Sequence, residues 1–256
     1  MTTNDAVNGG GIGATETSFG IIEFLRESAG AGVSEVAAEL GVSKSTAHNH
    51  LTTLESLGYV VRTDDGFALG LQFLDLGDHA RKRHSLYHAS VSEMNDLVET
   101  IGERGQVMVE ENGHGVYIYQ VKTEQGVQTD SHIGTTVDLH ATAVGKSYLA
   151  FCDEATRDRI LGDGLSELTS HTISDREALE ADLAEIAERG YAFNDEERIT
   201  GMRAVGAPIL TDDEAVIGAI SVSGPTTRMN GEWYRQEVPE MVMQAARIIG
   251  IRATYP

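Results

Sequence analysis

The chain has 256 residues, room for two domains of ordinary size, and its 19 basic against 40 acidic residues leave a formal charge of −21. A single cysteine, Cys152, excludes a disulfide framework and a cysteine-built zinc site. No apolar run is long enough to span a bilayer and no charged-then-apolar signal opens the chain, so a cytoplasmic protein without membrane contact is expected.

Only four of the basic residues are lysines: Lys44, Lys82, Lys122 and Lys146. An acid-rich, lysine-poor surface stays hydrated in molar salt, where screening removes most self-repulsion. The composition therefore points to a halophile's cytoplasm, with an ordinary acidic protein as the alternative. The charge is uneven: residues 18–85 carry −3 and residues 86–256 carry −16.

Residues 1–17 are rich in Gly, Thr and Asn without an apolar period and are expected to form a flexible tail. Residues 18–80 read as a winged helix-turn-helix. Phe19–Glu27 makes a first helix. Ser34 is the expected N-cap of a short helix over Glu35–Leu40, which Gly41 ends. A second helix starts at Ser43 and runs to about Leu57, with Ala47, Leu51 and Leu54 on one face. The opposite face carries Lys44, Ser45, Thr46, His48, Asn49 and Thr52, donors and acceptors suited to base edges and phosphates. Tyr59–Arg62 and Phe67–Leu69 are strands around an Asp-Gly turn, the wing, where Arg62 can reach a phosphate. The set of DNA-binding residues expected is Ser43, Lys44, Ser45, Thr46, His48, Asn49 and Arg62.

Residues 81–104 are expected to form a linker and dimerisation helix, broken near His84. Ala80, His84, Tyr87, Val91, Met94, Val98 and Ile101 follow a heptad spacing, which suits either a partner helix or a neighbouring sheet. From residue 105 to 256 the period changes. Val107–Glu111 and Val116–Gln120 form a hairpin, Val127–Ile133 is a further strand, and Leu139–Phe151 and Glu154–Leu161 are helical. A capping box at Ser174–Glu177 opens a helix that Gly190 closes. Ala204–Leu210 and Ala215–Ser223 are strands and Glu232–Ile251 is a closing helix. The fold class is α+β, with a largely antiparallel sheet in the second domain.

Several chemical motifs fail. Gly145-Lys146-Ser147 ends like a phosphate loop, but His140 stands where the first glycine is needed, which argues against nucleotide hydrolysis. His84 and His88 lack a third ligand, so no metal is expected. Cys152 has no nucleophile signature around it, and no cofactor is expected.

The segments VSKSTAHNHLTTLESLGYVVR, LHATAVGKSYLA, YAFNDEERITGMRAVGAPI and AISVSGP together resemble the isocitrate lyase regulator (IclR) family of transcription factors, over about Phe19 to Ile251. The resemblance implies a winged helix-turn-helix, a linker helix and a C-terminal GAF-like effector domain. It implies homodimers, or dimers of dimers, on roughly palindromic double-stranded promoter DNA. It also implies a small-molecule metabolite pocket lined by Ala143, Val144, Asn194, Ala204, Ser221 and Ser223. Ser221 and Ser223 flank Val222, so both hydroxyls share one side of a strand. Asn194 stands where relatives can have an aspartate, and Ala204 where some have a polar or thiol side chain. Asn49 replaces a common arginine and His50 a usual apolar residue, so an altered DNA sequence preference is expected. The function that follows is a ligand-responsive, sequence-specific DNA-binding regulator of metabolic genes, not an enzyme. The alternative is a GAF-like sensor or scaffold whose winged domain binds protein.

Overall fold

The computed structural model describes residues 11–28, 30–127, 129–162 and 164–255. The chain divides into two compact units, Met1–Ala80 and Arg81–Pro256.

In the first unit, α1 spans Gly13–Glu27, α2 Val33–Glu39 and α3 Lys44–Ser56, followed by the wing strands β1, Val60–Thr63, and β2, Gly66–Leu69. β1 and β2 pair antiparallel, with Thr63 opposite Gly66 across the two-residue turn Asp64-Asp65. Ile21, Val36, Ala47 and Leu51 are fully enclosed in the small core they form with Val60 and Phe67. Ile21, Val36 and Leu51 each contribute about 1.5–3 kcal/mol by this burial, and the Ala47 methyl group less. Gly41 takes the left-handed backbone expected of it, at φ +65°.

Two starts differ from expectation. Helix α1 begins at Gly13, so residues 13–17 are helical rather than tail; Ile21 and Leu25 anchor the helix and Thr17 Oγ1 bonds back to the Gly13 carbonyl at 2.8 Å. Residues 1–10 of the expected tail lie outside the described residues. Helix α2 is capped at Gly32, not Ser34, because Glu35 reaches back to accept the Gly32 N–H at 2.7 Å.

Helix α4 runs Gln72–Lys82 and α5 Ser85–Ile101, with the expected break at His84, whose backbone is extended. The lower heptad positions Met94, Val98 and Ile101 are buried within the second unit, against its own sheet and closing helix.

The second unit is built on a six-stranded antiparallel sheet in the order β5-β4-β3-β8-β7-β6. These strands are β3 Arg104–Glu111, β4 His114–Lys122, β5 Thr136–Val137, β6 Ala192–Asp195, β7 Met202–Leu210 and β8 Val216–Pro225. One face, through Val107, Val109, Val205, Ala207, Ile209, Ile220 and Val222, packs on α5 and on α9, Val238–Thr254, which a π-helical turn over Trp233–Glu237 leads into. The other face is covered by α6, Ala143–Phe151, and α8, Arg176–Arg189, with α7, Glu154–Leu161, beside them.

Three further expectations are corrected. Val127–Ile133 forms no strand among its described residues; Thr129 and the Ser131 carbonyl are hydrogen-bonded to Arg104 instead. Helix α8 is capped by Asp175, whose carboxylate accepts the Ala178 N–H at 2.9 Å, rather than by Ser174. The stretch Leu139–Phe151 is not one helix: a 3-10 turn over Leu139–Ala141 is followed by extended Thr142, which caps α6 by accepting the Gly145 N–H at 3.0 Å.

Candidate DNA interface and effector cavity

Helix α3 starts where its sequence says. Ser43 Oγ accepts the Thr46 N–H at 3.0 Å and lies 2.8 Å from the Thr46 hydroxyl. Ser43, Lys44, Ser45, His48 and Asn49 are exposed and Thr46 is half-buried. Lys44, Ser45, His48 and Asn49 fall one helical turn apart in pairs, so they share a face. The side chains of Lys44, His48 and Asn49 have no partner among the described residues. Arg62 lies on β1, donates to Glu55 at 2.9 Å and stacks over the Phe67 ring at 4.5 Å, which ties the wing to α3. His50 does not share the exposed face: it is half-buried, with Nδ1 2.8 Å from Ser18 Oγ of α1. Its place is the contact between two helices.

The second site is a cavity on the α6 side of the sheet. Antiparallel register aligns Asn194, Ala204, Ser223 and Arg104 in one row, and Ala192, Gly206, Ser221 and Gln106 in the next. Alternation along each strand puts both rows on the same face. All six residues expected to bind effector, Ala143, Val144, Asn194, Ala204, Ser221 and Ser223, line this cavity. They come from α6, β6, β7 and β8. The remaining wall includes Gln106, Tyr117, Thr129, Ser131, Thr142, Arg198, Ile199, Met202 and Arg203, none of which the sequence pattern singles out. The cavity volume is about 50 Å³.

The roof is the first turn of α6. It sits directly on β7 because residue 206 is glycine: a Cβ there would lie 2.6 Å from the Ala143 carbonyl group. Backbone N–H groups at a helix start are unpaired within the helix, so this turn offers donors to the cavity. Asn194 donates its amide to the Ala141 carbonyl at 2.8 Å. An aspartate could not make that bond, and the amide oxygen of Asn194 remains as an acceptor. Burial pushes the Tyr117 hydroxyl up to about 12, so it is a neutral donor here.

The Gly-Lys-Ser sequence has a structural role. A Cβ at Gly145 would lie 2.2 Å from the Leu139 carbonyl oxygen, so the glycine lets the 3-10 turn fold against α6. Lys146 is 2 % exposed and donates at 2.8 Å to both Asp182 of α8 and Glu197. Burial holds Glu197 above the usual carboxylate range against the opposing pull of Lys146. The triad fixes the 196–201 segment that carries Arg198 and Ile199 into the cavity wall.

A polar recognition helix with a wing, joined in one chain to an α+β domain enclosing a small-molecule cavity, defines a one-component, ligand-sensing DNA-binding regulator. Residues 15–64 match the IclR helix-turn-helix domain and residues 79–251 the bacterial transcriptional regulator IclR C-terminal domain. The chain is 35 % identical over 237 residues to the probable HTH-type transcriptional regulator ArcR of Halobacterium salinarum, covering 91 % of this chain and 90 % of the relative. The Thermotoga maritima IclR crystal structure superposes with a TM-score of 0.80 at 29 % identity, over 95 % of this chain and 99 % of that one. An IclR homolog from Microbacterium hydrocarbonoxydans, crystallised with 4-hydroxybenzoate, shares the fold with a TM-score of 0.78 at 20 % identity, over 92 % of this chain and 98 % of that one. The chain belongs to the IclR family and is a ligand-responsive DNA-binding transcriptional regulator, not an enzyme.

Proposed function

We propose that Ser43, Lys44, Ser45, Thr46, His48 and Asn49 read DNA in a major groove, with Arg62 of the wing on a neighbouring phosphate. A small metabolite held by Ala143, Val144, Asn194, Ala204, Ser221 and Ser223 adjusts that binding, and the genes under control are metabolic. The observation that carries this reading is the convergence of four separated segments on one cavity. A mobility-shift titration of the protein on its own upstream DNA in molar KCl tests it, with and without central metabolites. A specific shift that a metabolite alters supports the reading. Absence of any shift favours the alternative, a winged unit that binds protein.

The working state is a homodimer or a dimer of dimers on a two-fold related site. Helix α4 supports this: it buries no residue of its own, and Leu71, Leu74 and Leu76 are exposed at its start. Light scattering returning about twice the chain mass of 27.5 kDa, or a multiple of that, is expected. The working environment is a halophile's cytoplasm. With few cations on the winged unit, specific affinity is expected to stay flat or rise from about 0.5 to 2 M KCl, where the Debye length falls to about 3 Å. A steep fall with log salt contradicts that expectation.

A further inference from the structure

Three arginines surround the cavity, and two of them are matched by acids. Arg198 forms a bidentate pair with Asp130 at 3.1 and 3.0 Å, and Arg203 pairs with Asp195 at 2.6 Å. The third, Arg104, opens β3 and is 2 % exposed, yet it makes no ion pair among the described residues. Its partners are neutral: Nη1 donates to Thr129 Oγ1, and Nη2 donates to the Gln120 side-chain oxygen and to the Ser131 carbonyl. Its Nε meets no acceptor among the described residues. Asp130 acts on it only at longer range and is already held by Arg198. A guanidinium stays charged at neutral pH even when burial lowers its pKa, so Arg104 is a buried cation without a counter-charge.

Its effect on the cavity passes through a hydroxyl. Thr129 Oγ1 receives the Arg104 Nη1 hydrogen and the Ser131 N–H, the latter at 3.3 Å. With both lone pairs engaged, the Thr129 hydroxyl acts as a donor; Ser131 Oγ lies 3.3 Å away and takes that hydrogen, which leaves the hydrogen of the Ser131 hydroxyl for the cavity. Thr142 Oγ1 accepts the Gly145 N–H, which engages one lone pair and leaves its hydroxyl hydrogen to donate. Both hydroxyls line the cavity, with those of Ser131, Ser221 and Ser223 and the first turn of α6. The lining is thus rich in donors, with one unbalanced positive charge directly behind it.

We infer that Arg104 sets the charge preference of the cavity, acting through Thr129 and Ser131 to favour a ligand group that bears negative charge over its neutral isostere. The inference rests on the effector-binding reading above. Arg104 does not line the cavity, so it is a positioning residue. Its signature is a ratio of affinities rather than an affinity.

The test is calorimetric titration of the full chain in 2 M KCl with two probe pairs, lactate against lactamide and glycolate against glycolamide. The wild type is expected to bind the acid of at least one pair at least tenfold more tightly than its amide. Arg104→Gln should bring that ratio within about twofold, the loss of affinity falling on the acid more than on the amide, and Arg104→Lys should keep most of the preference. A merely structural role would weaken acid and amide together. Thr129→Val keeps the charge and removes the hydroxyl, and it too should collapse the ratio; it serves as well should Arg104→Gln fail to fold. A folded Arg104→Gln or Thr129→Val protein with the wild-type ratio overturns the inference and leaves effector binding standing. A wild type that prefers the amides also overturns it. A wild type that binds neither member of either pair, and no other metabolite in a thermal-shift screen, takes down the effector reading and this inference with it.

Discussion

In the winged unit the polar side chains of α3 project outward from a helix whose other face carries Ala47, Leu51 and Leu54 into the core. In the second unit the comparable groups point inward: Ser221, Asn194 and Gln106 are at most 5 % exposed. A surface face needs one stable helix and little else. An internal site needs every segment around it to be held in register, so distant packing and buried charge enter its function. The two units should therefore respond differently to single substitutions.

The largest effect is expected at Lys146→Met. It leaves Glu197 and Asp182 without their shared cation and should cost the second unit about 3–5 kcal/mol. Calorimetry should show that loss while melting of the winged unit is unchanged; joint loss in both would erase the contrast. Gly206→Ala comes next. Its methyl group would press on the backbone at Ala143 and lift the roof, an overpacking cost of about 1–3 kcal/mol by urea unfolding. In the winged unit, Ser43→Ala removes an N-cap bond and should cost about 1 kcal/mol. The smallest stability change, under about 0.5 kcal/mol, is expected for the pair Ser221→Ala and Ser223→Ala, whose hydroxyls make no side-chain bond among the described residues. That double variant should nevertheless lose its ligand-induced rise in melting temperature.

The same contrast explains what could be read from the sequence. Helix α3 was legible because its apolar and polar residues alternate at helical spacing and Ser43 and Gly58 mark its ends. The cavity was legible only through the family resemblance, since no local period links Val144 to Ser223. Gln106, Thr129 and Arg198 escaped because each reaches the cavity through strand register or a loop held by an arginine. Strand β6 was missed: its four residues are too short for a period-2 signal, and Asn194 looks like a loop residue until its amide meets Ala141. Val127–Ile133 failed the other way, because Val127, Thr129, Ser131 and Ile133 mimic a strand while Arg104 holds Thr129 and Ser131 in a loop. His50, which the resemblance marks as standing for a usual apolar residue of the recognition helix, turns toward α1 and Ser18.

The most direct measurement is the dissociation constant of wild type and Asn49→Ala on the protein's own upstream DNA and on a scrambled duplex, in molar KCl. Asn49 sits exposed, its side chain without a partner among the described residues, on the face proposed to read bases. The expected result is clear discrimination by the wild type, and a loss of about 1–3 kcal/mol for the variant on the cognate duplex alone. Equal weakening on both duplexes, or a wild type that does not distinguish them, would contradict sequence reading by α3.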